Sequence, residues 1–242
     1  MYTKLEYKQW SLSLDLEGGR IRSLSHADIL IIGTYARIDG KAGSTHLCAP
    51  SFDKEGQETY LLPFHGYART LMWQLVSETQ NSITISATTP ESASYPARLQ
   101  IDQTFILSDI FHHEIQITHL QGEEVPLNVG IHYYWDTPRG WDGTQINGID
   151  ATNGIRTNGY AQLVKKNTLR FPHATYELSS NGFHDAVLWT SFISDERGEK
   201  QFSQDFCCIE PVVAWPNYFG TPSSIIKPRQ TVSFSVEIGK VV

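Results

Sequence analysis

Glu210 stands inside an otherwise apolar run, "FCCIEPVVAW" (206–215). A carboxylate in such surroundings must be paired, hydrogen-bonded or raised in pKa, because a lone buried charge is very costly. His132 lies in "VPLNVGIHYYW" (125–135), whose alternate positions are apolar while the others read Pro126, Asn128, Gly130, His132 and Tyr134. That second face carries hydrogen-bond donors and acceptors, and Gly130 leaves room for something to lie close. Such a face is either solvated or lines a cleft. His65 and Arg69 flank Gly66 in "YLLPFHGYART" (60–70). They bring a titratable group and a fixed cation to a backbone position that tolerates what a Cβ forbids. Each feature also has a plain reading: a rim acid, an exposed strand face, a turn with a surface arginine.

The elements that must position these residues are strands. "SLSLDL" (11–16), "LQIDQTFIL" (99–107), "FHHEIQITHL" (111–120) and "TVSFSVEIG" (231–239) alternate polar and apolar side chains. Alternation with period two means half-buried strands. "TLMWQLVSE" (70–78) reads as strand from its aromatic residue and its short length. The 125–135 stretch alternates throughout and predicts one continuous strand. Pro211 cannot donate to a ladder, which predicts that its strand ends there or lies at a sheet edge. No stretch of a dozen residues carries a 3.6-residue stripe. "DERGEK" (195–200) and "SNG" (180–182) mark turns. The expectation is an all-β protein, a large antiparallel β-sandwich formed as a single domain over 1–242.

Composition narrows the partners. The formal net charge of −7 argues against nucleic acid, which needs a basic face. Cys48, Cys207 and Cys208 form no C-x-x-C pair, so neither a structural zinc site nor a disulfide framework is indicated. His112 and His113 alternate faces in a strand and make a poor chelating pair. Reduced thiols and the polar start "MYTKLEYKQW" lead to an expectation of a cytoplasmic protein with no membrane partner. Nothing in the sequence identifies a protein partner.

The same segments, in the same order, resemble those of the aldose 1-epimerase (galactose mutarotase) superfamily. "PFHGYARTLMW" is similar to its His-Gly segment, and most closely to the compact branch that includes hexose-6-phosphate mutarotases. "GIHYYW" resembles its second-histidine motif, with Tyr133 where proline is usual. "CCIEPVVAWPN" resembles its Cys-Val-Glu-Pro segment, and "IIKPRQTVSFSVEI" its closing segment. The branch often carries an arginine before the first histidine. Here "GSTHLCAP" (43–50) has none, and Lys41 is the nearest cation. A late aspartate of the branch falls in "FPHATYEL" (171–178), which has none; Asp136 and Asp142 follow the second histidine.

The resemblance implies a galactose mutarotase-like sandwich with a sugar cleft. It implies interconversion of the α and β anomers of a hexose or hexose phosphate, without metal, nucleotide or other cofactor. Glu210 is then the base, ionised, and His132 the acid, an imidazolium. Each such group contributes about 10²–10⁴-fold. His65 and Arg69 hold sugar hydroxyls or developing charge, and Arg69 is the expected grip on a phosphate. Tyr134, Trp135 and Trp215 are candidate platforms for a sugar face, whereas Trp73 reads better as core. A second reading is a non-catalytic carbohydrate-binding relative that keeps the cleft.

Overall fold

The computed structural model describes residues 2–52 and 54–240. Two large antiparallel sheets dominate it, one of ten strands and one of nine. The first begins as a meander, Tyr2–Tyr7, Trp10–Asp15, Arg20–His26 and Ile29–Ile32. It continues through distant segments in the spatial order Tyr134–Asp136, Phe206–Val212, Gly130–His132 and His46–Cys48, with Asp185–Trp189 also paired to Phe206–Val212. The second sheet holds the longest strands, Ala97–Leu107, Phe111–Gly122 and Thr231–Lys240, side by side. The only α-helices among the described residues are Glu55–Tyr60 and Thr152–Thr157. Among the described residues no helix is long and apolar enough to cross a membrane.

Alternation drives the packing. In Ala97–Leu107 the residues Leu99, Ile101, Phe105 and Leu107 are buried, and in Phe111–Gly122 so are Phe111, Ile115 and Ile117. They meet Leu12, Leu14, Ile131, Tyr133 and Trp135 of the first sheet in one apolar core. A buried polar chain crosses this core. The Tyr133 hydroxyl lies 2.9 Å from His113 Nδ1, His113 Nε2 lies 3.0 Å from Gln103 Oε1, and Gln103 Nε2 donates to the Gly19 carbonyl at 3.3 Å. Because Gln103 Oε1 can only accept, His113 Nε2 carries the proton and Nδ1 accepts from Tyr133.

Two local expectations change. The 125–135 stretch is three short strands, Val125–Pro126, Gly130–His132 and Tyr134–Asp136. The chain shifts partners there: Val125 pairs Ile226, while Gly130 pairs both Val212 and Cys48. Both faces of the stretch are buried, so its polar face is not a solvated one. Pro211 neither ends its strand nor marks an edge. Phe206–Val212 is central, and Pro211 sits in register with Ala186. One missing donor is tolerated because strands on both flanks continue the ladder through Val212.

Candidate active site

Strand register builds the site. Gly130 pairs Val212 and Tyr134 pairs Cys208, so the same register sets His132 opposite Glu210. On the other flank of Gly130–His132, His46 is the direct partner of His132. Alternation then sorts the side chains. His132, Tyr134, Glu210 and Trp189 line one cavity of about 500 Å³, whereas Tyr133, Trp135, Cys207 and Ile209 belong to the core. Trp135 is therefore not a sugar platform. It is fully buried, donates Nε1–H to the Ile209 carbonyl at 3.2 Å and stacks on Phe171. Trp73 is core as well, its Nε1–H bonded to the Ala68 carbonyl.

His132 Nε2 and Glu210 Oε1 are 3.4 Å apart at the buried floor of the cavity. The His132 ring stacks on Tyr134 at 4.8 Å and lies 4.9 Å from His46 and 5.5 Å from His65, measured between centroids. Burial pushes the Glu210 carboxyl well above the usual carboxylate range. Burial first, and then the neighbouring His46, His65, Arg69 and Arg37, hold His132 well below the usual imidazole range. These directions oppose the charge states expected from sequence: burial favours a neutral imidazole facing a carboxyl that keeps its proton. Desolvation penalises the ionised arrangement, so burial favours a neutral pair that carries one proton between the two groups.

The segment around Gly66 has a definite shape. His65 and Gly66 both have positive φ, 64° and 72°. A Cβ on Gly66 would sit 2.2 Å from the Ala49 carbonyl oxygen, so only glycine permits this crossing. His65 is turned so that Nδ1–H donates to the Phe52 carbonyl at 2.5 Å. Its Nε2 is then an acceptor. Burial lowers its pKa to about 4, with Arg69 and Arg37 adding to the effect. A neutral acceptor can take a hydroxyl proton in a hydrogen bond, but it cannot neutralise developing negative charge. His46 repeats the device: Nδ1–H donates to the Ser44 carbonyl at 2.8 Å, and among the described residues no group bonds its buried Nε2.

Arg69 lines the cavity from the short turn Ala68–Thr70, and it has company: Lys41, the nearest cation by sequence, and three cations that sequence reasoning missed. Arg20, Arg37, Lys41 and Lys54 line the same cavity. Arg20 reaches Ser44 Oγ and the Arg69 carbonyl. Arg37 packs over the Trp189 ring at 4.7 Å and pairs with Asp39 at 2.5 Å. Trp215 also lines the cavity, held by its N–H to Asp185 Oδ2 at 2.9 Å. Asp136 and Asp142 stand apart from the cavity lining: Asp136 accepts from the Tyr35 hydroxyl and Asp142 pairs with Arg156. Among the described lining residues Glu210 is the one acid. No local pattern marks Arg20, Arg37 or His46; only the pairing of distant strands brings them in.

Such a cavity can move protons at its floor, accept hydrogen bonds from hydroxyls on one wall and attract an anion at its cationic side. Comparison with known proteins agrees with the fold. Over its full length the chain is similar to a galactose mutarotase related enzyme from Lactobacillus acidophilus, with 13% identity, a TM-score of 0.78 and 98% of that chain covered. It is also similar over its full length to a galactose mutarotase-like protein from Lactobacillus casei, with 15% identity, a TM-score of 0.75 and 100% of that chain covered. A third, a galactose mutarotase-like protein from Clostridium acetobutylicum, shares 14% identity at a TM-score of 0.72, covering 99% of this chain and 95% of its own. No curated protein matches the sequence. The family model for aldose 1-epimerase matches residues 30–168, more than half of the chain, and the protein belongs to the aldose 1-epimerase family.

Proposed function

We propose that the protein is a mutarotase acting on the anomers of an anionic hexose, a hexose phosphate in the simplest case. The observation that carries the reading is the His132–Glu210 pair, 3.4 Å apart and buried, at the floor of a cavity whose other charged lining residues are Arg20, Arg37, Lys41, Lys54 and Arg69. A protein of net charge −7 that gathers these cations in one cavity offers a site for negative charge.

Mutarotation needs a proton removed from the anomeric hydroxyl and a proton delivered to the ring oxygen as the C1–O5 bond breaks. Rotation about C1–C2 and reversal of both transfers close the ring on the other face. A pair sharing one proton supplies both functions. Glu210 takes the hydroxyl proton in the tautomer that has the shared proton on His132, and His132 gives that proton to the ring oxygen. Substrate favours this tautomer. The anomeric hydroxyl donates to the carboxylate and stabilises it. A bound phosphate offsets the Arg69 and Arg37 charges that oppose an imidazolium. The Nε2 atoms of His65 and His46 accept from other hydroxyls and orient the ring. Trp215 and Tyr134 give it apolar walls.

The test is proton NMR exchange between anomers of glucose, galactose and glucose 6-phosphate at neutral pH. The proposal predicts enzyme-driven exchange, fastest relative to background for the phosphate. Binding of these sugars without accelerated exchange of any of them would instead establish a carbohydrate-binding relative. We further expect the chain to act as one domain in the cytoplasm, as its reduced and buried thiols suit.

A further inference from the structure

The mechanism above leaves a buried nucleophile behind the cavity floor unused. Cys208 lies two residues before Glu210 on the same strand, hence on the same face. Its free, buried thiol belongs to the group His132, Cys208 and Glu210, whose ligand atoms all lie within 4.8 Å of one another. Cys207, next in the chain, faces the opposite side and packs in the core.

We infer that His132, Cys208 and Glu210 form a binding site for a soft divalent cation of the zinc type, and that filling it blocks the anomer-exchange chemistry. The ligand types are those of zinc sites, and three protein ligands leave a fourth position for water or a sugar hydroxyl. Bond lengths of about 2.0–2.3 Å hold tetrahedral donors roughly 3.3–3.7 Å apart. The His132 Nε2–Glu210 Oε1 separation of 3.4 Å already fits, and closure of the sulfur by about 1 Å completes the set. A thiolate and a carboxylate neutralise the dication, so the filled site adds no net charge to a cavity lined by Arg20, Arg37, Lys41, Lys54 and Arg69. On binding, the thiol proton and the proton held on the His132–Glu210 pair both leave to solvent, as sulfur, nitrogen and oxygen join the metal. His132 Nε2 and a Glu210 oxygen then have their lone pairs on the metal and cannot carry the protons of the reaction. Thiolate softness selects zinc, cadmium or cobalt(II) over magnesium or calcium.

The blocking step rests on the mutarotase reading; the site does not, and the experiment separates them. Cobalt(II) is titrated anaerobically into the protein and thiolate-to-cobalt charge transfer is read in the near ultraviolet. One equivalent should give the band, and zinc should displace it. Cys208→Ser, or Cys208→Ala if serine does not fold, should lose the band and weaken cobalt binding at least about tenfold, whereas Cys207→Ser keeps both. Zinc should arrest glucose anomer exchange in the wild type, a chelator should restore it, and Cys208→Ser should need at least about tenfold more zinc. Absence of the band in the wild type, or its persistence in Cys208→Ser, overturns the site. Undiminished exchange at saturating zinc overturns the block. A cobalt band dependent on Cys208 in a protein that accelerates no anomer exchange supports the site and removes the mutarotase reading instead.

Discussion

His113 of one sheet accepts the hydroxyl proton of Tyr133 from the other across 2.9 Å of core. Tyr133 lies between His132 and Tyr134, so this bond ties the rear of the cavity floor to the opposite sheet. Tyr133→Phe strips the donor and leaves a buried imidazole acceptor unsatisfied. A loss of about 1–3 kcal/mol in unfolding free energy is expected. Denaturant titration checks it, and an unchanged midpoint would mean that the bond does not form.

Gly66 tests the backbone geometry of the substrate wall. Gly66→Ala combines a positive φ with a Cβ 2.2 Å from the Ala49 carbonyl oxygen. The chain must move there, at a cost of about 2–4 kcal/mol. Thermal unfolding should drop by several degrees, and His65 should lose its bond to Phe52. An alanine variant of native stability would contradict the described crossing.

Acid should weaken the fold in a definite window. Burial lowers the folded-state pKa of His113 to about 3 and of His65 to about 4, and places those of His46 and His132 well below 6.5. A depressed imidazole means that the unfolded chain binds more protons. Stability is therefore full above about pH 6.5 and falls as the pH drops toward 4, by at most about 1.4 kcal/mol per pH unit for a fully buried group such as His113. Glu210 and Asp136, both raised by burial, act in the opposite sense. The histidines outnumber them, so the denaturant midpoint should be lower at pH 5.5 than at pH 7.5. A flat profile would show that these rings take up protons in the folded protein as readily as in the unfolded chain.

The cationic lining makes a selective prediction. Arg69→Ala and Arg37→Ala should each raise KM for glucose 6-phosphate by about 10–100-fold, the effect of a lost charge-assisted hydrogen bond. Glucose should be affected only slightly. Equal effects on both sugars would place the phosphate elsewhere.

How much of this was legible in the sequence follows from physical range. Period-two alternation acts within one strand, so Ala97–Leu107, Phe111–Gly122 and Thr231–Lys240 could be read directly. His65, Arg69, His132, Tyr134 and Glu210 stood out because each breaks a local β rule, and all of them line one cavity. Arg20, Arg37 and His46 break no rule. They enter through pairings such as His132 with His46, which depend on register between segments far apart in the chain. Trp135 was misplaced as a platform although its own alternation with His132 already assigns it to the core. Burial, which only the fold sets, opposes the ionised Glu210 and the imidazolium at His132 that the sequence suggests.

The central claim is that Glu210 exchanges a proton with the anomeric hydroxyl. The most direct test is anomer-exchange NMR on Glu210→Gln, which keeps the shape and a hydrogen-bonding oxygen but cannot serve as a base. The account predicts exchange reduced at least about 10²-fold, with sugar binding retained within a few-fold. Exchange at the wild-type rate in that variant would contradict it.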